Sequence, residues 1–266
     1  MLSFFTEPFG AINRHREILL RTTAVEIKSI YAGSILGMFW VVLGPIFLLT
    51  VYGLIYAVIF RIRPVEMTVL EYVMYVFSGL VPFIAFATAM TSGATSLSAN
   101  KQVLLNTVFP PELIPFRSVL VACVSLPVGL TILLLADLFL SELTWTFALV
   151  PIVVFFQIMF LAGLSWILSL LTLLIRDIQQ VLVYTTMMLL VLTPIAYLPS
   201  MVPGGLKILM YGNPLYYFVT SYQSLIILNQ LPPLDVVVVG VLMSILIFVV
   251  GFRMNRNAKQ AFFDYA

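Results

Sequence analysis

The side chains that could do chemistry in this chain stand outside its long apolar stretches. Seven stretches contain no Asp, Glu, Lys or Arg: 29–60, 72–100, 118–136, 143–175, 178–206, 208–234 and 236–252. The acids Asp137, Glu142 and Asp235 lie at their boundaries. No P-loop, H-E-x-x-H or G-x-S-x-G motif occurs, so the sequence offers no nucleotide, zinc or serine-nucleophile chemistry. We therefore predict a protein that is not an enzyme, with no catalytic residue, metal or cofactor site of its own.

The apolar stretches between these charged residues are predicted to be membrane-spanning helices. The chain is 62% hydrophobic and 9% charged, and a span needs about 20 apolar residues. The segment 208–234 is too polar for a lipid-facing span, so we predict a pair of short re-entrant helices over 200–232. The fold class is an all-α integral membrane protein, a single membrane domain over 1–266. The predicted spans are 34–60, 72–95, 118–137, 146–174, 178–199 and 234–252.

The distribution of basic residues favours six spans over seven. With six spans and a cytoplasmic N-terminus, ten basic residues lie inside and three lie outside, and seven spans change this split to seven against six. Short cytoplasmic loops carry an excess of Lys and Arg. We therefore expect both termini in the cytoplasm.

A G-x-x-x-G pattern lies at the start of the first predicted span, formed by Gly33 and Gly37. Such a pattern lets two membrane helices approach closely. The sequence therefore allows a close helix contact at this point.

Residues 12–31 are predicted to form an amphipathic helix on the membrane surface. Its apolar side chains share one face and its charged side chains share the other. The basic side chains are Arg14, Arg16, Arg21 and Lys28. They either bind the phosphate of a substrate at the membrane or only attract anionic phospholipid head groups.

The loop 100–117 is unusually apolar for a cytoplasmic connection. Its candidate contact residues are Asn100, Val103, Leu104, Phe109, Pro110 and Glu112. An exposed apolar patch usually marks a contact surface, although this loop could also fold back onto the bilayer. No ionisable residue lies deep in a span to bind or relay an ion. We therefore expect the energy for transport to come from another subunit that contacts this coupling loop or helix, over 100–114.

Five segments, in order, resemble motifs of one known family. Tyr31 to Trp40 and Pro45 are similar to R-Y-x-G-S-x-L-G-x-x-W…P, and Asn100 to Pro115 is similar to N-x-x-L-I…F-P-x-x-L-x-P. The other three are Arg176-Asp177-Ile178, Thr193-Pro194-Ile195-Ala196-Tyr197 and Asn213-Pro214-Leu215. Together they resemble the permease subunits of bacterial ABC exporters for cell-surface polysaccharide, which cover O-antigen, capsular polysaccharide and teichoic acid. Ile30 and Ile175 depart from the family's usual Arg and Phe.

The resemblance implies a type-2 ABC exporter permease in the bacterial inner membrane. It implies a homodimer with two copies of a separate ATPase that binds ATP and magnesium, and a lipid-linked polysaccharide substrate that passes between the two permeases. The loop after the second span would be the coupling helix, and the re-entrant helices over 200–232 would be gate helices at the outer mouth. Periplasmic and outer-membrane export proteins are further possible partners, and nucleic acid is not expected to be one. Two alternatives stay open: a related permease for a small molecule or drug, and an ion-coupled carrier.

Aromatic side chains are the candidate walls of such a conduit, because flat rings hold sugars weakly. The channel candidates are Trp40, Tyr52, Tyr56, Phe60 and Tyr197, and the outer-gate candidates are Tyr211, Asn213, Pro214, Tyr216 and Tyr217. In the first span, Tyr52, Tyr56 and Phe60 are spaced to form one stripe. Such stripes also arise from helix packing and from interfacial anchoring.

Overall fold

The computed structural model describes residues 2–53, 55, 67–101, 110–140 and 144–258. The regular secondary structure of these described residues is helical, and none of it is a strand. Four of these helical segments are long and apolar enough to cross a membrane. They are Val69–Ala99, Leu113–Leu138, Trp145–Leu174 and Leu234–Asn257. Two shorter apolar segments, Gly37–Tyr52 and Ile178–Leu192, fall in the other predicted spans. An all-α membrane protein is thereby confirmed.

The N-terminal region contains two helices where the sequence predicted one over 12–31. Helix α1 spans Leu2–Arg14 and α2 spans Arg16–Ile30, and the break lies at His15, whose φ and ψ are −113° and 17°. Within α2, Leu19 and Thr23 are buried and Ile30 is 58% exposed. The expected apolar face therefore covers only part of α2.

The G-x-x-x-G pattern does not lie in an α-helix. Gly33 and Gly37 have φ angles of +80° and +49°, which are left-handed conformations favoured by glycine. The backbone turns at this point and passes through a 3₁₀ turn, Gly37–Phe39, before α3 begins. Helix α3 spans Trp40–Gly53, so the first predicted span starts six residues later than the predicted 34. These glycines make the turn between α2 and α3, and no other part of the described chain lies within 4 Å of where their Cβ atoms would be.

Helix α4, which spans Val69–Ala99, is the centre of the bundle. A capping box begins it: the Thr68 side chain accepts from Glu71 N at 3.3 Å, and Glu71 accepts from Thr68 N at 2.7 Å. Its buried side chains include Tyr75, Phe77 and Phe86. Most of helix α4 is buried against its neighbours.

The remaining helices of the bundle pack against α4, except the last, which packs mainly against the Val150–Leu174 helix. They are α5 (Leu113–Ala122), α6 (Ser125–Leu140), α7 (Val150–Leu174), α8 (Ile178–Leu192) and α11 (Leu234–Asn257). Two short helices, α9 (Lys207–Tyr211) and α10 (Pro214–Ile226), lie in the predicted gate segment. Helices α7 and α11 cross where Gly163 faces Gly251. The missing side chains let the two backbones come close, as is common between membrane helices.

Candidate functional site

The two ends of the predicted coupling loop lie close together. Asn100 ends α4, and its Nδ2 donates to the Ser96 carbonyl at 2.8 Å. Its Oδ1 accepts from Arg117 Nη2 at 3.0 Å, so a side-chain hydrogen bond closes the loop. Val103, Leu104 and Phe109 lie outside the described residues.

The far end of this loop is fixed to α7. Pro110 accepts a hydrogen bond from Leu113 N at 3.0 Å, and the Glu112 carbonyl accepts from Trp166 Nε1 at 2.7 Å. The Trp166 ring is buried and stacks on Phe116 with centroids 6.0 Å apart. A loop whose two ends are held in this way can transmit a displacement, caused by a partner, to the helices at its ends.

The basic residues predicted to meet a phosphate are spread along α1 and α2 and do not form one site. Arg14, Arg16, Arg21 and Lys28 are all exposed. Arg21 pairs with Glu17 at 2.8 Å across one helical turn. Arg14 lines a separate polar cavity with His15, Glu112 and Arg256.

The first-span aromatics are only partly within the described residues. Trp40 is 39% exposed, and its Nε1 donates to Ser34 Oγ at 3.1 Å. Tyr52 is half-buried and packs against the main apolar core. Tyr56 and Phe60 lie outside the described residues, so the stripe stays a prediction.

The candidate outer gate is organised around Asn213. Asn213 is buried and caps α10, and its Oδ1 accepts from Leu215 N at 3.0 Å. Its Nδ2 donates to Thr193 Oγ1 at 2.8 Å and so ties α10 to the end of α8. Pro214 is the first residue of α10, where its missing N–H costs nothing.

The tyrosines of this segment form a cluster. The rings of Tyr211 and Tyr216 meet edge to face at 5.5 Å, and those of Tyr216 and Tyr217 do so at 5.2 Å. The Tyr217 hydroxyl donates to the Tyr211 carbonyl at 2.7 Å. The pKa of Tyr216 is raised to about 12, mainly by burial and to a smaller extent by the nearby Tyr211 and Asp235. Its hydroxyl therefore stays protonated. Tyr197 lies apart, and its hydroxyl donates to the Leu192 carbonyl at 2.8 Å.

A buried polar network that the sequence analysis did not single out holds α10 in place. Gln157 on α7 donates through Nε2 to the Pro82 carbonyl of α4 at 2.9 Å and accepts from the Tyr222 hydroxyl at 2.8 Å. Gln223 donates to the Pro194 and Ile195 carbonyls, each at 3.1 Å. A lone glutamine inside an apolar span is the signal that could have found Gln157, since such groups are rarely left without a role.

The chain matches a known family of membrane transporters. The chain matches the ABC2_membrane family, the ABC-2 type transporter, over residues 19–227, and it belongs to that family. The resemblance found in the motifs is thus confirmed at the level of the family. The chain is a multi-pass membrane protein of the ABC-2 permease class.

Three curated proteins that carry the same name match this chain along nearly its full length. The chain is 25% identical to the O-antigen export system permease protein RfbA of Myxococcus xanthus over 252 residues, which cover 94% of this chain and 95% of that protein. It is 27% identical over 250 residues to the protein of the same name in Klebsiella pneumoniae, covering 92% and 93%. A second Klebsiella pneumoniae protein of that name is 26% identical with the same coverage.

Proposed function

We propose that this chain is the permease of an ATP-driven exporter that moves a lipid-linked polysaccharide across the bacterial inner membrane. The observation that carries the proposal is the match to three O-antigen export permeases along more than nine-tenths of the chain. The substrate passes through a channel between this chain and a second copy of itself. Two copies of a separate ATPase subunit bind ATP and magnesium and supply the energy.

Coupling to the ATPase is assigned to residues 100–114. The support is the closed geometry of the loop, with Asn100 bonded to Arg117 at one end and Glu112 bonded to Trp166 at the other. Val103, Leu104 and Phe109 would be the apolar anchors, because a few side chains in well-packed pockets usually carry most of the binding energy of an interface. Pro110 and Glu112 would lie at the edge of that contact.

The conduit is assigned to the first span and the outer segment. Trp40 and Tyr52, with Tyr56 and Phe60, would offer aromatic faces to sugar rings, and Tyr197 would lie near the outer end. The outer gate would be the segment 200–232, supported by the Tyr211, Tyr216 and Tyr217 cluster and by Asn213. Because Asn213 ties α10 to the end of α8, a movement of one would move the other.

The proposed topology has six spans with both termini in the cytoplasm. The ten-to-three split of basic residues supports it, and so do the two shorter apolar helices Gly37–Tyr52 and Ile178–Leu192. The exposed basic residues of α1 and α2, Arg14, Arg16, Arg21 and Lys28, would then face cytoplasmic phosphate groups of the substrate or of lipids.

Two other functions are less well supported. A permease for a small molecule or drug would share the family but not the curated relatives, which all carry the O-antigen export name. An ion-coupled carrier would need ionisable side chains that bind the ion within the bundle. Among the buried polar and charged residues of the described chain, Asp137 is the only ionisable one, and it lies near the end of its span.

Deletion of the gene tests the proposal. In the deletion strain we expect the surface glycan to disappear and the lipid-linked glycan to accumulate on the cytoplasmic leaflet, because synthesis continues without export. The measurement is glycan detection on intact and on permeabilised cells, and the control is the same strain carrying the intact gene. Normal surface glycan together with lost efflux of a small molecule would support the drug permease instead.

A further inference from the structure

Arg117 joins three elements that are far apart in the sequence. It lies on α5, and its Nη2 donates to Asn100 Oδ1 at the end of α4, at 3.0 Å. Its Nε lies 2.5 Å from Oε2 of Glu26 on α2. The Arg117 side chain is only 13% exposed and that of Glu26 is 31% exposed. The Arg117 guanidinium therefore donates a hydrogen bond to Asn100 and forms an ion pair with Glu26, in which Nε and Oε2 are close but not in hydrogen-bond geometry.

A second ion pair on α2 provides a contrast. Arg21 and Glu17 are 2.8 Å apart, but their side chains are 79% and 78% exposed, and both residues lie on the same helix. An exposed pair within one helix contributes little and connects nothing else. The Arg117–Glu26 pair is shielded from solvent and connects α5 to α2. A movement of one helix is therefore passed to the other.

The other contact between α2 and the bundle is apolar. Leu19 is buried in a cluster with Leu113, Phe116 and Trp166. Apolar burial is non-directional, so it keeps α2 on the bundle without fixing its position along the surface. The Arg117–Glu26 pair supplies that fixed position.

The junction beyond α2 has room to move. A cavity of about 380 Å³ lies between the α2–α3 turn and the bundle, and its lining includes Tyr31, Trp40, Thr88 and Ser125. Helix α2 ends at Ile30 and α3 begins at Trp40, so a shift of α2 reaches the start of the first span through the connection 31–39. Close-packed interiors resist such shifts, whereas a junction beside a cavity does not.

We propose that Arg117 is a positioning residue of the transport cycle, which passes a displacement of the 100–114 loop through Glu26 to α2 and from α2 to the first span. This inference rests on the proposed function, because it assumes that an ATPase moves the loop. Helices α4 and α5 receive the movement directly, as they continue from the loop. The first span receives it through Arg117.

The experiment uses the full complex of permease and ATPase in proteoliposomes and compares three variants. Glu26→Gln removes the charge from the shielded pair, Glu17→Gln removes it from the exposed pair on the same helix, and Glu26→Arg with Arg117→Glu reverses the shielded pair. The readouts are membrane level, ATP hydrolysis and the number of ATP molecules hydrolysed per glycan exported. A role in folding alone would not change this last ratio.

We expect Glu26→Gln to raise the ATP hydrolysed per glycan by about fivefold, with the complex still assembled. Glu17→Gln should behave as the wild type, and the reversed pair should recover most of the coupling, since it restores opposite charges between α2 and α5. If Glu26→Gln lowers the membrane level, Glu26→Asp replaces it and should give a smaller rise.

Two results would overturn the inference. One is a wild-type ratio in both Glu26→Gln and Glu26→Asp, and the other is a reversed pair that exports no better than Glu26→Gln. If the wild-type complex itself exports no glycan, the proposed function has failed rather than the role of Arg117.

Discussion

Gly251→Val is expected to remove most folded permease from the membrane. A Cβ atom at Gly251 would lie 2.8 Å from the carbonyl carbon and 2.9 Å from the Cα of Gly163, and these are backbone atoms that cannot rotate away. Helices α7 and α11 would have to separate along their shared face, and overpacking of this kind costs about 1–3 kcal/mol or more. The measurement is the amount of monodisperse protein that remains after stepwise heating in detergent.

The same helix offers a matched control. A Cβ at Gly240 would meet only the Tyr217 Cβ at 3.5 Å, an ordinary contact, so Gly240→Ala should keep the wild-type heating profile. Gly163→Val should be as damaging as Gly251→Val, because it meets the backbone of Ile247 and Phe248 from the other side. A wild-type profile for Gly251→Val would show that the two helices are not packed this closely.

Gln157→Leu is expected to lower thermal stability and export, with an effect second to that of Gly251→Val. Gln157 and Tyr222 are both fully buried, and the Tyr222 hydroxyl donates to Gln157 Oε1 at 2.8 Å. Leucine keeps the bulk but leaves that hydroxyl without an acceptor, which costs about 1–3 kcal/mol. The loss would loosen α10 from α7 and α4, and so should reduce both thermal stability and export.

A double-mutant cycle separates the hydrogen bond from the packing. Gln157→Leu combined with Tyr222→Phe removes both partners, so the double variant should be more stable than Gln157→Leu alone, with a coupling energy of about 1 kcal/mol. The exposed Gln180→Leu on α8 serves as the control and should change nothing. Additive single effects would mean that the two side chains do not interact.

The central and late spans could be predicted well from charge and hydropathy alone. The predicted 72–95 and 146–174 correspond to Val69–Ala99 and Trp145–Leu174, because charges and prolines mark where a buried helix meets water. The start of the first span could not be predicted in this way. Residues 34–39 are as apolar as a span, but positive φ at Gly33 and Gly37 turns the backbone, and composition does not report φ.

The candidate sites were predictable as segments but not as contacts. The polar, proline-rich composition around Asn213 indicated a special segment, and the buried cap and the bond to Thr193 give it a structural basis. The bond between Arg117 and Asn100 joins residues on different helices, and a single sequence holds no signal for such a pairing. The six-span topology, the coupling anchors and the channel stripe stay predictions.

ATP-dependent flipping in proteoliposomes tests the central claim most directly. Vesicles would contain the permease, its ATPase and a lipid-linked O-antigen-type glycan, and the measurement is how much glycan becomes accessible to a lectin on the opposite face. We predict that it rises with ATP and magnesium, and not with a non-hydrolysable analogue or without the permease. Equal accessibility with and without ATP, in vesicles whose ATPase is active and bound to the permease, would contradict the account.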